Sequence, residues 1–254
     1  MDHAIRADGP VLELKRLCKS FGGLHAVRDV DLGVFAGERK AIIGPNGAGK
    51  TTLFNVVTGI LPATSGQVLL FGHDVTGWPS HRRTALGMAR TFQITSLFPK
   101  LTVLDNVLLA IKGVRNTKFV AWRFLTSYGD LYEKAQHLLE QVAFEDRKDV
   151  EVRRLSHGEQ RQLEIVLGLA SDPKILLLDE PAAGLSSGES GEMAKFLMRL
   201  DPDLAILLIE HDMDVVFDVA SHICVLHFGE VLEAGPTEEV RRSEAVRQIY
   251  LGTG

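Results

Sequence analysis

Short apolar runs separated by turn residues fill the first third of the chain and return in the last third. Such runs, about four to eight residues long and bounded by glycine or polar turns, are typical of β-strands. The pattern predicts strands at residues 11–17, 30–35, 39–43, 67–71, 175–178, 204–209, 222–226 and 231–234. Helices are predicted at residues 49–58, directly after Ser187, at 213–219 and at the C-terminus.

The middle of the chain has a different pattern, in which apolar residues recur at helical intervals. One periodic segment covers residues 130–142. In the segment before it, the recurring apolar positions are Leu101, Leu104, Val107, Leu108 and Ile111. The chain is therefore predicted to be an α/β domain interrupted by a helical segment at residues 95–155.

Charge and hydropathy exclude some classes of function. Lys and Arg total 28 against 33 Asp and Glu, a formal net charge of -5, whereas nucleic-acid-binding proteins more often carry a basic excess. No apolar run approaches the roughly 20 residues that a membrane-spanning helix needs. Residues 1–10 lack the apolar stretch of a secretory signal, so we expect an intracellular protein and no nucleic-acid partner.

The strongest chemical signal is a glycine-rich loop between a predicted strand and a predicted helix. Glycines let successive backbone N–H groups point at phosphate oxygens, and the helix N-terminus adds partial positive charge. Lys50 can reach the β- and γ-phosphates of a nucleoside triphosphate, and the Thr51 hydroxyl can bind Mg²⁺. The predicted phosphate-binding residues are Gly44, Pro45, Asn46, Gly47, Ala48, Gly49, Lys50, Thr51 and Thr52.

The second signal is a pair of adjacent carboxylates, Asp179 and Glu180, directly after the apolar run 175–178. Ligands of open α/β sheets bind at the carboxyl ends of the strands. Asp179 can help to hold Mg²⁺, while Glu180 can orient or deprotonate an attacking water. The two signals together predict an enzyme that hydrolyses a nucleoside triphosphate.

A third segment, Leu-Ser-His-Gly-Glu-Gln at residues 155–160, opens a predicted helix shortly before the acidic strand. Taken alone it is a helix start, with Ser156 as N-cap and Glu159 at the capping-box position. Its place in the chain resembles the signature sequence of ATP-binding-cassette (ABC) ATPases. Other motifs of that family follow in similar order, at Phe21, Gln93, residues 183–186 and His211.

The ABC resemblance implies a fold and a set of roles. The implied fold is an α/β phosphate-loop ATPase core with an antiparallel β subdomain and an inserted α-helical subdomain, which is the ABC nucleotide-binding domain. It would cover residues 11–254, with the helical subdomain at 95–155. Phe21 would stack on the adenine of ATP, and residues 183–186 would form the D-loop. The implied catalytic residues are Lys50, Gln93, Glu180 and His211, and the implied Mg²⁺ ligands are Thr51, Gln93 and Asp179.

Family members work as pairs, in which ATP lies between the phosphate loop of one subunit and the signature of the other. The resemblance implies that Ser156, Gly158 and Glu159 contact the nucleotide of a second subunit. That subunit is either another copy of this chain or a related chain.

Three residues depart from the usual family pattern: His157 stands in place of a glycine, Glu159 of a glutamine and Ser186 of an aspartate. A carboxylate close to phosphates would weaken their binding, because like charges repel. We therefore expect Glu159 to point away from the phosphates or to pair with a base such as Arg161.

The closer resemblance is to the ATP-binding subunits of branched-chain amino-acid importers. The similar segments are residues 21–27, 89–93, 163–165, 179–185, 209–213 and 249–252. This resemblance implies an ATPase that couples ATP binding and hydrolysis to uptake of branched-chain amino acids or a similar small solute. The implied partners are membrane permease subunits and, indirectly, a periplasmic solute-binding protein. The implied location is the cytoplasmic face of the inner membrane, as a peripheral protein.

Two alternatives stay open within transport, since ATPases of lipopolysaccharide-export systems and of urea or amide importers are similar. A third alternative is an ABC ATPase of DNA repair or translation that moves no solute. Translation-type members usually carry two cassettes in one chain, and repair-type members carry long insertions; neither feature is found in the 254 residues.

One weaker feature is a basic cluster of His81, Arg82 and Arg83. Clusters of this kind are most often solvated faces of helices, and we predict the same here.

Overall fold

The computed structural model describes residues 9–91, 97–114 and 129–251. Within these residues ten strands form two sheets, and nine α-helices accompany them. The strands are β1 Leu12–Phe21, β2 Leu24–Val34, β3 Arg39–Ile43, β4 Ser65–Leu70, β5 His73–Asp74, β6 Met88–Arg90, β7 Ile175–Asp179, β8 Ala205–Ile209, β9 His222–His227 and β10 Glu230–Pro236. The helices are α1 Lys50–Val57, α2 Ser80–Leu86, α3 Val103–Val114, α4 Gly129–Gln141, α5 His157–Leu169, α6 Ser187–Arg199, α7 Met213–Val219, α8 Thr237–Arg242 and α9 Glu244–Leu251.

The smaller sheet is antiparallel and has the strand order β2-β1-β4-β5. Along β1 the alternation of buried Leu12 and Leu14 with less buried neighbours places one face of the strand on the core. The alternation shifts at Arg16, whose φ of 43° marks an irregularity, and Leu17 returns to the buried face. A half-buried antiparallel sheet accounts for this alternating pattern.

The larger sheet has the order β10-β9-β3-β8-β7-β6, and all its neighbours are parallel except the pair of β9 with β10. Every residue of β7 and of β8 is buried, as expected for parallel strands with both faces covered. Because β3, β8 and β7 are adjacent and parallel, their carboxyl ends meet at one edge of the sheet. Each strand predicted from the apolar pattern overlaps an observed strand. The predicted helices at 49–58, after Ser187 and at 213–219 likewise overlap the observed helices α1, α6 and α7.

Helices dominate the region between β6 and β7, where α3 packs against α4 and α5. The observed helix α4 begins and ends within one residue of the periodic segment at 130–142. Among the described residues, no helix has both the length and the hydrophobicity that crossing a bilayer requires. The strands β5 and β6 were not predicted as elements, because two or three residues are too few to show a period.

The prediction of a solvated basic cluster is wrong for Arg83, whose side chain is 1 % exposed. Its guanidinium donates to four backbone carbonyls, those of Val56 at 2.8 Å, Val57 at 2.5 Å, Thr76 at 2.9 Å and Trp78 at 3.0 Å. Two of these carbonyls, those of Val56 and Val57, lie in the last turn of α1, where carbonyls lack the regular i+4 donor of the helix. Burial lowers the pKa of Arg83 to about 10, which still leaves the group charged at neutral pH.

Replacing Arg83 by Met is expected to lower the free energy of unfolding by about 2–4 kcal/mol, because several buried carbonyls lose their donors. Urea denaturation followed by circular dichroism measures this change. Arg82, the exposed neighbour, gives the matched control, and Arg82→Met should change stability by less than about 0.5 kcal/mol. Equal effects of the two substitutions would show that the four carbonyl contacts do not stabilise the fold.

Candidate active site

The candidate site lies at the edge where the three central strands of the larger sheet end. Strand β3 leads into the glycine-rich loop, β7 ends at Asp179 and is followed by Glu180, and β8 is followed by Glu210 and His211. Parallel pairing of Leu177 with Leu207 and of Asp179 with Ile209 holds the last two strands in register. The glycine-rich loop and two pairs of side chains, Asp179 with Glu180 and Glu210 with His211, are thereby brought to one edge.

The glycine-rich loop is shaped by backbone conformations that only glycine adopts easily. Gly44, Gly47 and Gly49 have φ values of 154°, 81° and 101°. A Cβ atom on Gly44 would lie 2.2 Å from the Leu226 carbonyl oxygen, and one on Gly49 would lie 2.2 Å from the Ala26 carbonyl oxygen. Helix α1 then begins without a side-chain cap and without an acidic residue in its first turn. Its first N–H groups are therefore available to an anion.

Lys50 is buried beneath this loop, with 8 % of its surface exposed. Its ammonium donates to the carbonyl oxygens of Gly44 at 2.6 Å and Pro45 at 3.1 Å. Burial lowers the pKa of Lys50, while the charges of Glu180 and Asp179 oppose that shift. The ammonium is thus bonded to the loop and is influenced by the charges of the two carboxylates at the end of β7.

Asp179 is held by Arg90, a residue to which the sequence assigned no role of its own. Arg90 Nη2 donates to Asp179 Oδ2 at 2.7 Å, and Arg90 Nη1 donates to Asn55 Oδ1 at 2.7 Å and Thr58 Oγ1 at 3.1 Å. Within the described part of the chain, the buried Asp179 Oδ1 has no hydrogen-bond partner. One oxygen of the carboxylate is therefore fixed while the other is left for a further ligand.

The residues fit a magnesium ion that is bound mainly through phosphate oxygens. The free Asp179 Oδ1 and the exposed Thr51 at the start of α1 are oxygen ligands of the kind that Mg²⁺ prefers. No group of three or more His, Cys, Asp or Glu side chains among the described residues could hold a metal alone. Mg²⁺ usually keeps waters and binds through one or two protein ligands plus substrate phosphates. Gln93, the third predicted ligand, lies outside the described residues.

Glu180 has a backbone conformation that is rare for its residue type, with φ at 50°. Such outliers concentrate at functional sites, where the surrounding structure holds them in place. Its N–H donates to the Ile209 carbonyl at 2.9 Å, which ties the residue to the end of β8. Glu180 Oε1 lies 3.9 Å from Nδ1 of His211, so two of the predicted catalytic side chains are neighbours.

Glu210 joins the loops that carry these two residues, and sequence reasoning gave it no role. It is 1 % exposed, and its carboxylate accepts from the N–H groups of Ala182 at 2.7 Å and His211 at 3.0 Å. Burial raises the pKa of Glu210, against the lowering effect of these N–H donors. Its only sequence signal is a carboxylate directly after a wholly apolar strand.

The signature segment caps its own helix. Ser156 Oγ accepts from the Glu159 N–H at 3.2 Å, and Glu159 Oε2 accepts from the Ser156 N–H at 2.8 Å, which forms a capping box. The other carboxylate oxygen of Glu159 lies 3.0 Å from Nε of Arg147. Glu159 thus pairs with a base as expected, but Arg161 is not that base, since it pairs with Glu164 one turn along the helix.

The signature and the D-loop segment touch within this chain. The Gly158 N–H donates to Glu189 Oε1 at 3.4 Å, and Glu189 Oε2 accepts from the Ser186 hydroxyl at 2.8 Å. Ser186 therefore serves as N-cap of α6 in a second capping box. His157 is exposed and lies close to Gly184 of the D-loop segment.

One cleft of about 400 Å³ collects most of the predicted site residues. The predicted residues that line it are Phe21, Asn46, Gly47, Ala48, Gly49, Lys50, Thr51, Thr52 and Glu180. The signature residues Ser156, Gly158 and Glu159 do not line this cleft. A single chain thus brings the phosphate loop and Glu180 together and leaves the signature apart from them.

A family model described as ABC transporter matches residues 27–183, which is more than half of the chain. The chain belongs to the ABC transporter family. This confirms the family resemblance and, with it, the assignment of the chain as an ATPase.

This ABC protein has relatives that align with it over nearly the whole length of both chains. It is 39% identical over 250 residues to the high-affinity branched-chain amino acid transport ATP-binding protein BraF of Pseudomonas aeruginosa, covering 96% of this chain and 98% of the relative. It is 36% identical to the corresponding protein LivG of Escherichia coli, with the same two coverages. The crystal structure of another ATP-binding cassette of an ABC transporter, in its ADP conformation, superposes with a TM-score of 0.83 at 29% identity. That match covers 96% of this chain and 99% of the other.

These likenesses confirm the predicted fold class, an ABC nucleotide-binding domain with a phosphate-loop core, an antiparallel sheet and inserted helices. The limits of the domain at 11–254 and of the helical subdomain at 95–155 stay predictions. The roles of the individual site residues also stay predictions.

Proposed function

We propose that this chain is the ATP-hydrolysing subunit of an ABC importer for branched-chain amino acids. The names of BraF and LivG, which match over nearly the whole chain, support the transported class. The observation that carries the proposal is the cleft in which the phosphate loop, Lys50 and Glu180 meet at the carboxyl end of the sheet. A strained glutamate beside a phosphate-binding loop suits hydrolysis better than binding alone.

In the proposed site the chain holds ATP mainly by position and charge. The N–H groups at the uncapped start of α1 point to the phosphates, and the ammonium of Lys50 turns from its two carbonyls toward the β- and γ-phosphates. Phe21, 46 % exposed at the rim of the cleft, contacts the base. Such an arrangement stabilises the charge that develops as the terminal phosphate leaves.

Thr51, Asp179 and Gln93 are the residues that would hold Mg²⁺ in this site. When bound, the ion neutralises negative charge on the β- and γ-phosphate oxygens. Arg90 fixes the orientation of Asp179 by a charge-assisted hydrogen bond of 2.7 Å.

Glu180 orients the attacking water and accepts its proton, and His211 donates a hydrogen bond to the γ-phosphate. Glu210 keeps these two side chains at a fixed separation, since its carboxylate binds N–H groups in both of their loops. Catalysis in this account is positioning and electrostatic stabilisation, without a covalent intermediate.

The working unit is proposed to be a pair of ABC subunits, either two copies or this chain with a related one. The separation of Ser156 and Gly158 from the cleft supports this, because neither residue lines the cleft that this chain forms. Membrane permease subunits complete the transporter, and this chain binds them as a peripheral protein on the cytoplasmic face of the inner membrane. A periplasmic solute-binding protein, which delivers the solute to the permease subunits, is an indirect partner of this chain.

Reconstitution tests the proposed function most directly. The chain, its partner ATPase and the permease subunits encoded with it are placed in proteoliposomes together with the solute-binding protein. We expect leucine, isoleucine or valine to raise ATP hydrolysis and to accumulate inside the vesicles. Stimulation by urea or an amide, with none by branched-chain amino acids, would replace the proposed solute by the alternative one.

A further inference from the structure

The turn that joins β9 to β10 places a bulky aromatic residue where the backbone disfavours it. His227 pairs with Glu230, so the loop has only two residues, Phe228 and Gly229, with φ values of 46° and 85°. A two-residue hairpin loop with positive φ at both positions favours Asn-Gly or Asp-Gly. A large side chain with positive φ is an outlier that needs a reason.

A second two-residue turn with a phenylalanine at positive φ has a structural explanation. Phe71 and Gly72 join β4 to β5 with φ values of 50° and 78°. There the Phe71 side chain is partly buried and packs against the hydrophobic core of the smaller sheet. Phe228 has no such burial: it is 74 % exposed, and its described ring contact is with His227 beside it, at 4.3 Å between centroids.

The Phe228 turn is fixed to the phosphate loop. The Gly229 N–H donates to the Ala48 carbonyl at 3.0 Å, and the Arg28 N–H donates to the Gly229 carbonyl at 2.8 Å. A Cβ atom on Gly229 would lie 2.9 Å from the Ala26 carbonyl oxygen, so the turn approaches β2 closely. Phe228 is therefore held in a constant position relative to the loop that receives the phosphates.

Phe228 also lines the same cleft as the phosphate loop, together with two other exposed apolar side chains. Phe21 is 46 % exposed, Leu24 is 67 % exposed and Phe228 is 74 % exposed. Lys50, Thr51 and Glu180 are among the polar residues of the lining. A cleft with both a charged and an apolar aromatic part matches a nucleotide, whose phosphates are charged and whose base is flat and apolar on its faces.

We propose that Phe228 is a second residue that contacts the base of the bound nucleotide, in addition to Phe21. Its ring covers part of the purine surface that Phe21 leaves open, and the strained turn is retained because it presents the ring to the cleft. The inference rests on the proposed function, because it requires ATP to bind in this cleft.

The test is the variant Phe228→Asn, which suits the turn better and removes the ring. We expect its affinity for ATP to fall about 5- to 30-fold, in line with base stacking on an aromatic side chain. Its affinity for inorganic tripolyphosphate with Mg²⁺ should stay equal to that of the wild type. Its melting temperature should not fall, because Asn is favoured at this position of the turn. Calorimetry and a thermal melt measure all three quantities.

Two further variants complete the experiment. Phe228→Tyr keeps an aromatic ring and should bind ATP like the wild type. Phe35→Ala removes another exposed aromatic side chain, which is 50 % exposed. Phe35 lies before β3, at the end opposite to the phosphate loop, and does not line the cleft. This variant should leave the affinities for ATP and for tripolyphosphate unchanged.

The outcomes separate this inference from the proposed function. Equal ATP affinity of Phe228→Asn and the wild type would overturn the inference and leave the proposed function standing, since binding itself would be observed. Equal weakening of ATP and tripolyphosphate would also overturn it, because the turn would then act on the phosphate loop. A wild-type chain that binds neither ligand would overturn the proposed function first.

Discussion

The Glu180→Gln variant is expected to hydrolyse ATP about 10²- to 10⁴-fold more slowly than the wild type, the range found for loss of a general base. Gln has the same shape and can still bind the attacking water, but it does not accept a proton at neutral pH. The backbone of Glu180 is held by its N–H bond to Ile209, so the substitution leaves the loop in place. Steady-state phosphate release measures the loss.

ATP binding should survive in the same variant, because the phosphates are held by the loop and Lys50. Removing a carboxylate from the neighbourhood of the phosphates also removes a like charge. Bound ATP that is not hydrolysed should keep two subunits together, which light scattering detects as a persistent dimer. Glu192→Gln on α6, where the carboxylate pairs with Lys195 at the surface, is the matched control and should behave as wild type. Undiminished hydrolysis by Glu180→Gln would remove this residue from its proposed role.

For those parts of the candidate site that are contiguous in sequence, the place in the fold could be predicted from the sequence. The loop of residues 44–52 and the pair Asp179 and Glu180 carry their chemistry in neighbouring residues, between elements whose periods are clear. The fold class followed from the same periods together with the order of the family motifs. Local spacing is sufficient when the backbone of one loop does the binding.

The contacts that support these residues depend on the tertiary fold and were not predicted. Arg90 reaches Asp179 across 89 positions of the sequence, and Arg83 reaches carbonyls at the end of α1 26 and 27 positions earlier. The base that pairs with Glu159 is Arg147, which belongs to a short 3₁₀ helix before the signature rather than to the signature helix itself. Sequence patterns report which face of an element is buried, but not which charged partner lies across it.

The hairpin turns show the same limit at single residues. Phe71-Gly72 and Phe228-Gly229 have the same two residue types and similar backbone angles. One phenylalanine packs on the core and the other is exposed at the nucleotide cleft. Only the surroundings in the folded chain distinguish a structural aromatic from a candidate ligand contact.

The Lys50→Ala variant is expected to lose ATP affinity by about 30- to 150-fold. Among the described residues that line the cleft, Lys50 is the one lysine, and its side chain is buried. A hydrogen bond to a charged group contributes about 1.5–3 kcal/mol. The charges of Asp179 and Glu180 act on this ammonium, so its removal also leaves their repulsion of the phosphates unopposed. Lys195→Ala, at an exposed ion pair on α6, is the control and should bind ATP normally.

Calorimetric titration of magnesium-ATP into the wild type and Lys50→Ala, with thermal melts to show that both are folded, tests the central claim most directly. The claim is that the uncapped start of α1 and its first residue, the buried Lys50, bind the triphosphate of ATP. We predict saturable binding with one ATP per wild-type chain and a much weaker isotherm for the variant. A folded wild-type chain that releases no heat with magnesium-ATP, or a Lys50→Ala variant that binds as tightly as the wild type, would contradict it.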